Sequence, residues 1–281
     1  MSDLTRRSFL RSALVAAPGV AVAGEAVRAY ARDRDDKDDS NGKGFTMGAQ
    51  SYSFRNFSFE DSLQQLKDLG LNSIEYCGVH FPADKDDPNF AAVKAAIAAA
   101  GVNVPCYGVE EFTADADANR KKFEFGKALG LDVLSANPTA DSFDNLNELV
   151  EEYKIKIAIH NHGPGARYDG VQDTLNAVNG RSPLIGACVD TGHVIRSGEK
   201  PHEVISALGD RVISLHLKDW IHGGEETVIG EGDLDLVAVA KALKAINFSG
   251  PIMMEYENHP DNPVPHMKKG WDNWMAAVAQ A

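Results

Sequence analysis

Four side chains of metal-binding type stand near the ends of four successive apolar runs. "KIKIAIHNH" (154–162) delivers His160 or His162, "IGACVDTGH" (185–193) delivers Asp190, "RVISLHLKDW" (211–220) delivers His216, and "PIMMEYENH" (251–259) delivers Glu255. Two carboxylates and one or two imidazoles can converge on one divalent ion. Mixed oxygen and nitrogen donors suit Mn²⁺, Co²⁺, Fe²⁺, Zn²⁺ or Ni²⁺ better than Ca²⁺, and nothing in the pattern implies thiolate ligation. Each residue alone also has a plainer role: His216 as a core histidine bonded to backbone, Glu255 as a partner of Lys218, Asp190 as the cap of the turn "DTGH". Period-2 alternation aims all four to one side, which favours the joint role.

Such convergence needs elements that deliver strand ends to one place. From Phe45 onward a short apolar run, a longer segment of helical periodicity and a glycine recur eight times. The other four strand-like runs are "TMGAQSYSF" (46–54), "SIEYCGVH" (73–80), "NVPCYGVEEF" (103–112) and "DVLSANPT" (132–139). Helical segments such as "SFEDSLQQLKDLG" and "NFAAVKAAIAAAG" lie between runs, with Ser58 before the first and Gly70, Gly101 and Gly130 at three ends, as capping chemistry expects. Eight units in roughly 235 residues predict a single-domain α/β fold, a (β/α)8 TIM barrel over 45–281, with no second domain. A doubly wound sheet would call for a glycine-rich phosphate loop after the first strand, and "TMGAQSYSF" has none.

Active sites of this barrel sit where strands end. There the ionisable residues crowd: Glu75 and His80, Glu110 and Glu111, His160 and His162, Asp190 and His193, His216 with Lys218 and Asp219, Glu255 and Glu257. Alternation sends His160 and His162 to one side and Asn161 away. Trp220, Tyr52, Phe54, Tyr107 and Trp271 offer flat faces for stacking a ligand ring or for ordinary packing.

The amino terminus carries a different signal. Arg6 and Arg7 precede Phe9 and Leu10, then an apolar stretch from Ala13 to Ala23. That is the layout of a twin-arginine signal peptide over 1–29, with a charged tether over 30–44 and a periplasmic or extracellular destination. The stretch is too short for a stable membrane span. The partner expected from it is the twin-arginine export machinery; a homo-oligomer is left open. With 28 Lys+Arg against 41 Asp+Glu the formal charge is −13, which repels nucleic acid and anionic membranes. Cys77, Cys106 and Cys188 are read as buried thiols.

"CVDTGH", "VISLHLKDW", "GEGDLDL" and "GPIMMEYE" together resemble the xylose isomerase-like TIM barrels, a group of sugar isomerases and epimerases that includes D-tagatose 3-epimerase and inosose dehydratase. The resemblance implies that Asp190, His216 and Glu255 bind one divalent metal, that His193 contacts substrate or metal-bound water, and that Lys218 and Asp219 complete an "HxKD" signature. Glu255 is implied as both ligand and acid/base. The fifth strand departs from the family, which carries a glutamate where this chain has His160. A two-glutamate mechanism is thereby put in doubt. The expected assignment places His160 on the metal and His162 toward substrate, with their roles exchangeable and both as candidate acid partners of Glu255. Glu75, His162, His193, Lys218 and Trp220 are the expected substrate contacts. The resemblance further implies a small-molecule carbohydrate as partner, and the expected activity is isomerisation or epimerisation of a ketose through an enediolate. Close behind stands β-elimination from a keto-sugar or keto-glycoside; a non-catalytic sugar-binding barrel is a third reading. A DNA-repair nuclease of the same barrel type is disfavoured by charge and export.

Overall fold

A computed structural model of the chain describes residues 44–281. The signal peptide over 1–29 and all of the tether over 30–44 except Gly44 lie outside the described residues. Eight parallel strands close into a barrel: β1 Thr46–Gln50, β2 Ser73–Tyr76, β3 Asn103–Phe112, β4 Val133–Pro138, β5 Lys156–His160, β6 Ile185–Asp190, β7 Val212–Leu217 and β8 Pro251–Met254. Each strand pairs with its neighbours in sequence, and β8 closes on β1 through Thr46–Pro251 to Ala49–Met254. Helices α1 Phe59–Leu69, α2 Phe90–Ala100, α3 Ala116–Leu129, α4 Phe143–Tyr153, α5 Val171–Val178, α6 Thr191–Arg196, α7 Pro201–Leu208, α8 Leu236–Ala245 and α9 Val264–Val278 lie along the chain between and after them.

Alternation divides the strand residues between two cores. Ile157 and Ile159 of β5, Val189 of β6 and Ile252 and Met254 of β8 join the large apolar layer with the helices. Cys106, Val133, Ala158, Cys188, Ile213 and Met253 form a separate cluster of buried residues. Along β5, β6 and β8 these positions alternate with the outward ones, which places them in the barrel's interior. The interior is tight enough to require glycine at Gly48, where a Cβ would lie 2.6 Å from both Met253 Sδ and Ser73 O. All three cysteines are buried and unpaired, as the sequence predicts.

The strands are shorter at their carboxyl ends than the apolar runs suggest. "SYSF" is a 3₁₀ turn, Ser51–Phe54, and "TGH" opens α6, whose N-cap is Asp190. The cause is side-chain capping: Gln50 accepts from Tyr52 N, and Asp190 accepts from His193 N. These side chains end the ladder sooner than hydrophobicity alone would.

Asp219 shows what the "GEGDLDL" segment is for. Its carboxylate accepts from the backbone N–H groups of Trp220, Gly230, Gly232 and Leu234 at 2.8, 2.8, 2.9 and 3.0 Å. A Cβ at Gly232 would strike Asp219 Oδ1, so the loop can wrap the carboxylate only with glycine there. Asp219→Ala leaves these donors without their acceptor and is expected to cost roughly 2–4 kcal/mol of stability. Urea unfolding measures it, and a loss below about 1 kcal/mol would contradict the loop's dependence on this carboxylate.

Candidate metal centre and substrate cavity

His160, Asp190, His216 and Glu255 each offer a ligand atom, and those atoms lie within 4.8 Å of one another at the carboxyl end of the barrel. His160 Nε2 is 3.0 Å from His216 Nδ1 and 3.5 Å from Asp190 Oδ2, and His216 Nδ1 is 3.3 Å from Glu255 Oε2. Tetrahedral bonds of about 2.0–2.2 Å set ligand atoms about 3.3–3.6 Å apart, so this spacing matches a transition-metal cage with little adjustment. Asp190 Oδ2 is buried with no hydrogen-bond partner, an expensive condition for a carboxylate oxygen unless a cation meets it. The donor set of two imidazoles and two carboxylates therefore fits a divalent metal.

Supporting contacts aim these ligands. Glu75, fully buried on β2, accepts from His216 Nε2 at 3.0 Å, which fixes the tautomer that turns the Nδ1 lone pair toward the cluster. Asn161 clasps the backbone of Asp190: its Oδ1 accepts from Asp190 N at 2.8 Å and its Nδ2 donates to Asp190 O at 3.1 Å. The Thr191 hydroxyl accepts from Lys218 N at 2.9 Å and donates to Lys218 O at 2.6 Å, tying the end of β6 to the chain leaving β7.

Above the cluster opens a cavity of about 600 Å³, the size of a small-molecule site. Glu255 and Glu257 reach it from β8; His160, His162, His193 and Arg196 reach it from β5 and α6; Trp220 and Tyr52 border it. Phe54 and Tyr107 are wholly buried, and Trp271 packs on the outer apolar layer, so those three aromatics serve packing. Two expected substrate contacts lie elsewhere. Glu75 sits behind His216, and Lys218, only 1% exposed, does not border the cavity. Lys218 is the buried counter-charge of three carboxylates: it pairs with Glu257 and lies 3.9 Å from both Glu226 and Glu255. Arg196, Asn161 and Gln50 were not singled out from the sequence. The spacing of three from Asp190 to His193 to Arg196 places them on one face of a helix, and that was the available signal.

The charges are set by these neighbours. Burial works against ionisation of Glu255, but Lys218 and then the adjacent His216 outweigh it and bring its carboxyl down to about 2. Burial also opposes the charge on Asp190, but His193, Lys218 and His160 hold it well below the usual carboxylate range. Burial, then nearby His160 and His193, push the His162 imidazole down to about 3, so it is uncharged at neutral pH.

The xylose isomerase-like TIM barrel profile matches residues 63–278. The chain belongs to this family. Inosose dehydratase of Clostridium botulinum (strain Alaska E43 / Type E3) is 30% identical over 155 residues, 48% of this chain and 52% of that protein. The chain thus spans about half the length of the curated relatives it matches. A protein from Parabacteroides distasonis ATCC 8503 superposes with TM-score 0.65 at 26% identity, covering 84% of this chain and 99% of the other. The IolI protein, solved with a bound zinc atom, superposes with TM-score 0.69 at 18% identity over 84% and 99% of the two chains, a likeness of fold.

Metal binding at this centre predicts near-stoichiometric zinc or manganese by mass spectrometry after reconstitution. Asn161→Ala should weaken that binding about 10- to 100-fold, as the loss of an orienting contact does, while Asp190→Ala should abolish it. Equal metal content in wild type and Asp190→Ala would place the metal elsewhere. Glu226 gives a pH prediction. Burial pushes its carboxyl up to about 7, against Lys218, so the folded state holds a proton that the unfolded state releases near pH 4.5. This contribution, on the order of 3 kcal/mol, is present below pH 4.5 and fades as pH rises through 7. Glu226→Gln should remove that slope from the stability profile over pH 4.5–7.

Proposed function

We propose that the chain removes a proton beside the carbonyl of a polyhydroxy-ketone, a sugar or cyclic polyol derivative, and eliminates water from it. The observation that carries this reading is the unlike chemistry of the two cavity walls: carboxylates Glu255 and Glu257 after β8, imidazoles His160, His162 and His193 after β5 and β6. Epimerisation by matched bases uses like groups on both faces, and with histidine at position 160 the second carboxylate is missing.

His160, Asp190, His216 and Glu255 would hold a divalent ion, which would supply Lewis-acid charge for a carbonyl oxygen. Glu255, ionised and bordering the cavity, takes the proton from the adjacent carbon. The carbon–oxygen bond at the next carbon breaks as the carbon–carbon double bond forms, and the hydroxyl leaves with that proton as water. Arg196 Nη1 donates to His193 Nδ1 at 2.8 Å, which leaves the His193 proton on Nε2, where it can hydrogen-bond the departing oxygen. Similarity to inosose dehydratases over half their length supports elimination. Isomerisation or epimerisation is the second reading, favoured by the uncharged His162, an acceptor on the wall opposite Glu255.

Incubating the metal-loaded protein with candidate keto-sugars and keto-polyols in D₂O separates the readings. Loss of water with deuterium uptake indicates elimination; deuterium uptake without loss of a group indicates isomerisation; neither, across the panel, leaves a sugar-binding barrel. Glu255→Gln should slow the reaction by about 10²–10⁴-fold, with metal content measured on the same samples, and full retained rate would remove Glu255 as the base.

We further propose export to the periplasm or beyond by the twin-arginine route, a reading supported by Arg6, Arg7 and the apolar stretch after them. Arg6→Lys with Arg7→Lys should leave the protein in the cytoplasmic fraction; unchanged secretion would refute the assignment.

A further inference from the structure

Arg196 is a cation on the cavity wall that the reaction sketched above uses only in part. It ends α6, and its guanidinium lies 4.7 Å from the centre of the Trp220 ring on one side. Against it lies the backbone of Gly163, where a Cβ would come within 2.7 Å of Arg196 Cζ. One N–H donates to His193 Nδ1. Among the described residues Arg196 makes no ion pair, although Glu255 and Glu257 line the same cavity.

The carboxylates there have partners other than Arg196. Lys218 answers Glu255, Glu257 and Glu226, and Glu75 holds His216. The two carboxylates of the metal cluster balance a divalent ion. Arg196 is half-buried on this wall, with the Trp220 ring and Gly163 beside its guanidinium and, among the described residues, one of its five N–H donors engaged, by His193. A guanidinium confined by such neighbours loses little freedom when a planar anion docks on its edge.

We infer that Arg196 recognises a carboxylate on the substrate, so that the cavity selects acidic sugars and keto-acids over neutral sugars. The inference rests on the proposed reaction for the identity of the site as a substrate pocket, and it names the class of substrate. Glycine at 163 belongs to the same device, because a side chain there would collide with the guanidinium.

The test uses isothermal titration calorimetry on the zinc-loaded full chain with two matched pairs of probes: D-glucuronate against D-glucose, and D-galacturonate against D-galactose. At least one uronate should bind about 10- to 100-fold more tightly than its hexose, the worth of a hydrogen-bonded charge pair. Arg196→Met should erase that difference, and Arg196→Lys should restore part of it as a point charge without the fork. Gly163→Ala should reduce it by crowding. No uronate preference in either pair of the wild-type chain, including no binding of any probe, overturns the inference even if a variant fails to fold. A preference that persists in folded Arg196→Met overturns it as well. Zinc content and solvent exchange are measured separately. Loss of uronate preference with metal retained removes only the anion assignment, and a preference without metal removes only the metal-dependent reaction.

Discussion

The site depends on how one carboxylate is divided. Asp190 Oδ1 accepts from His193 N and starts α6 immediately after β6, while Oδ2 is left without a hydrogen bond and stands among the four ligand atoms. A cap alone would satisfy the helix and a ligand alone would satisfy a metal, but one residue doing both fixes their relative position. Because α6 begins at that point, His193 and Arg196 appear three and six residues later on the same helical face, at the cavity wall. Asn161 makes the arrangement rigid from β5, the strand that also brings His160 to the cluster. Ligand and cavity residues from two strands and a helix are thereby held by one fully buried residue.

Burying that much charge requires compensation close by. An isolated carboxylate in a protein interior is so costly that it would be protonated rather than ionised. Here Lys218, buried below the cavity, offsets burial for Asp190 and Glu255 and keeps both charged. Its own burial works against its charge, and Glu255, Asp190, Glu257 and Glu226 hold it protonated above the usual lysine range. The lysine is thus a positioning and charging residue for the cluster. Glu75 does the matching task for His216 from the opposite side. Neither touches the cavity, which explains why residues that look like substrate contacts from their place at strand ends turn out to hold other side chains in place.

Much of this was legible in the chain. Eight apolar runs with helical segments between them dictate the barrel, because a parallel strand must be followed by a crossover and the closed sheet hides both faces. The side of each strand was legible too: alternation puts His160 on the face of Ala158 and away from Ile157 and Ile159. What could not be read was depth. Alternation gives a residue's side and not whether it lies at the cavity floor or behind a neighbour, so Glu75 and Lys218 were placed one layer too high. Strand ends were read too long for a related reason, since Gln50 and Asp190 stop their strands by hydrogen bonds that hydrophobicity does not encode. Asn161 escaped notice because a residue aimed away from the site is still able to brace it through backbone.

A barrel of this kind is a scaffold on which strand-end residues can differ while the strands stay, and position 160 shows what one such residue decides. A glutamate there would bring a third carboxylate to the cluster and a third to the cavity, beside Glu255 and Glu257. His160 brings an imidazole instead, and it lies 4.5 Å ring to ring from His162, which lies 5.5 Å from His193. Crowding and burial keep His162 uncharged, so this wall offers hydrogen bonds without negative charge. With Arg196 beside it the wall is net positive, and the opposite wall, where Glu255 and Glu257 stand, is negative. A substrate carrying its own charge would therefore be oriented end for end on entering. That polarity is a property of the whole cavity, produced by one histidine on β5 and one arginine at the end of α6.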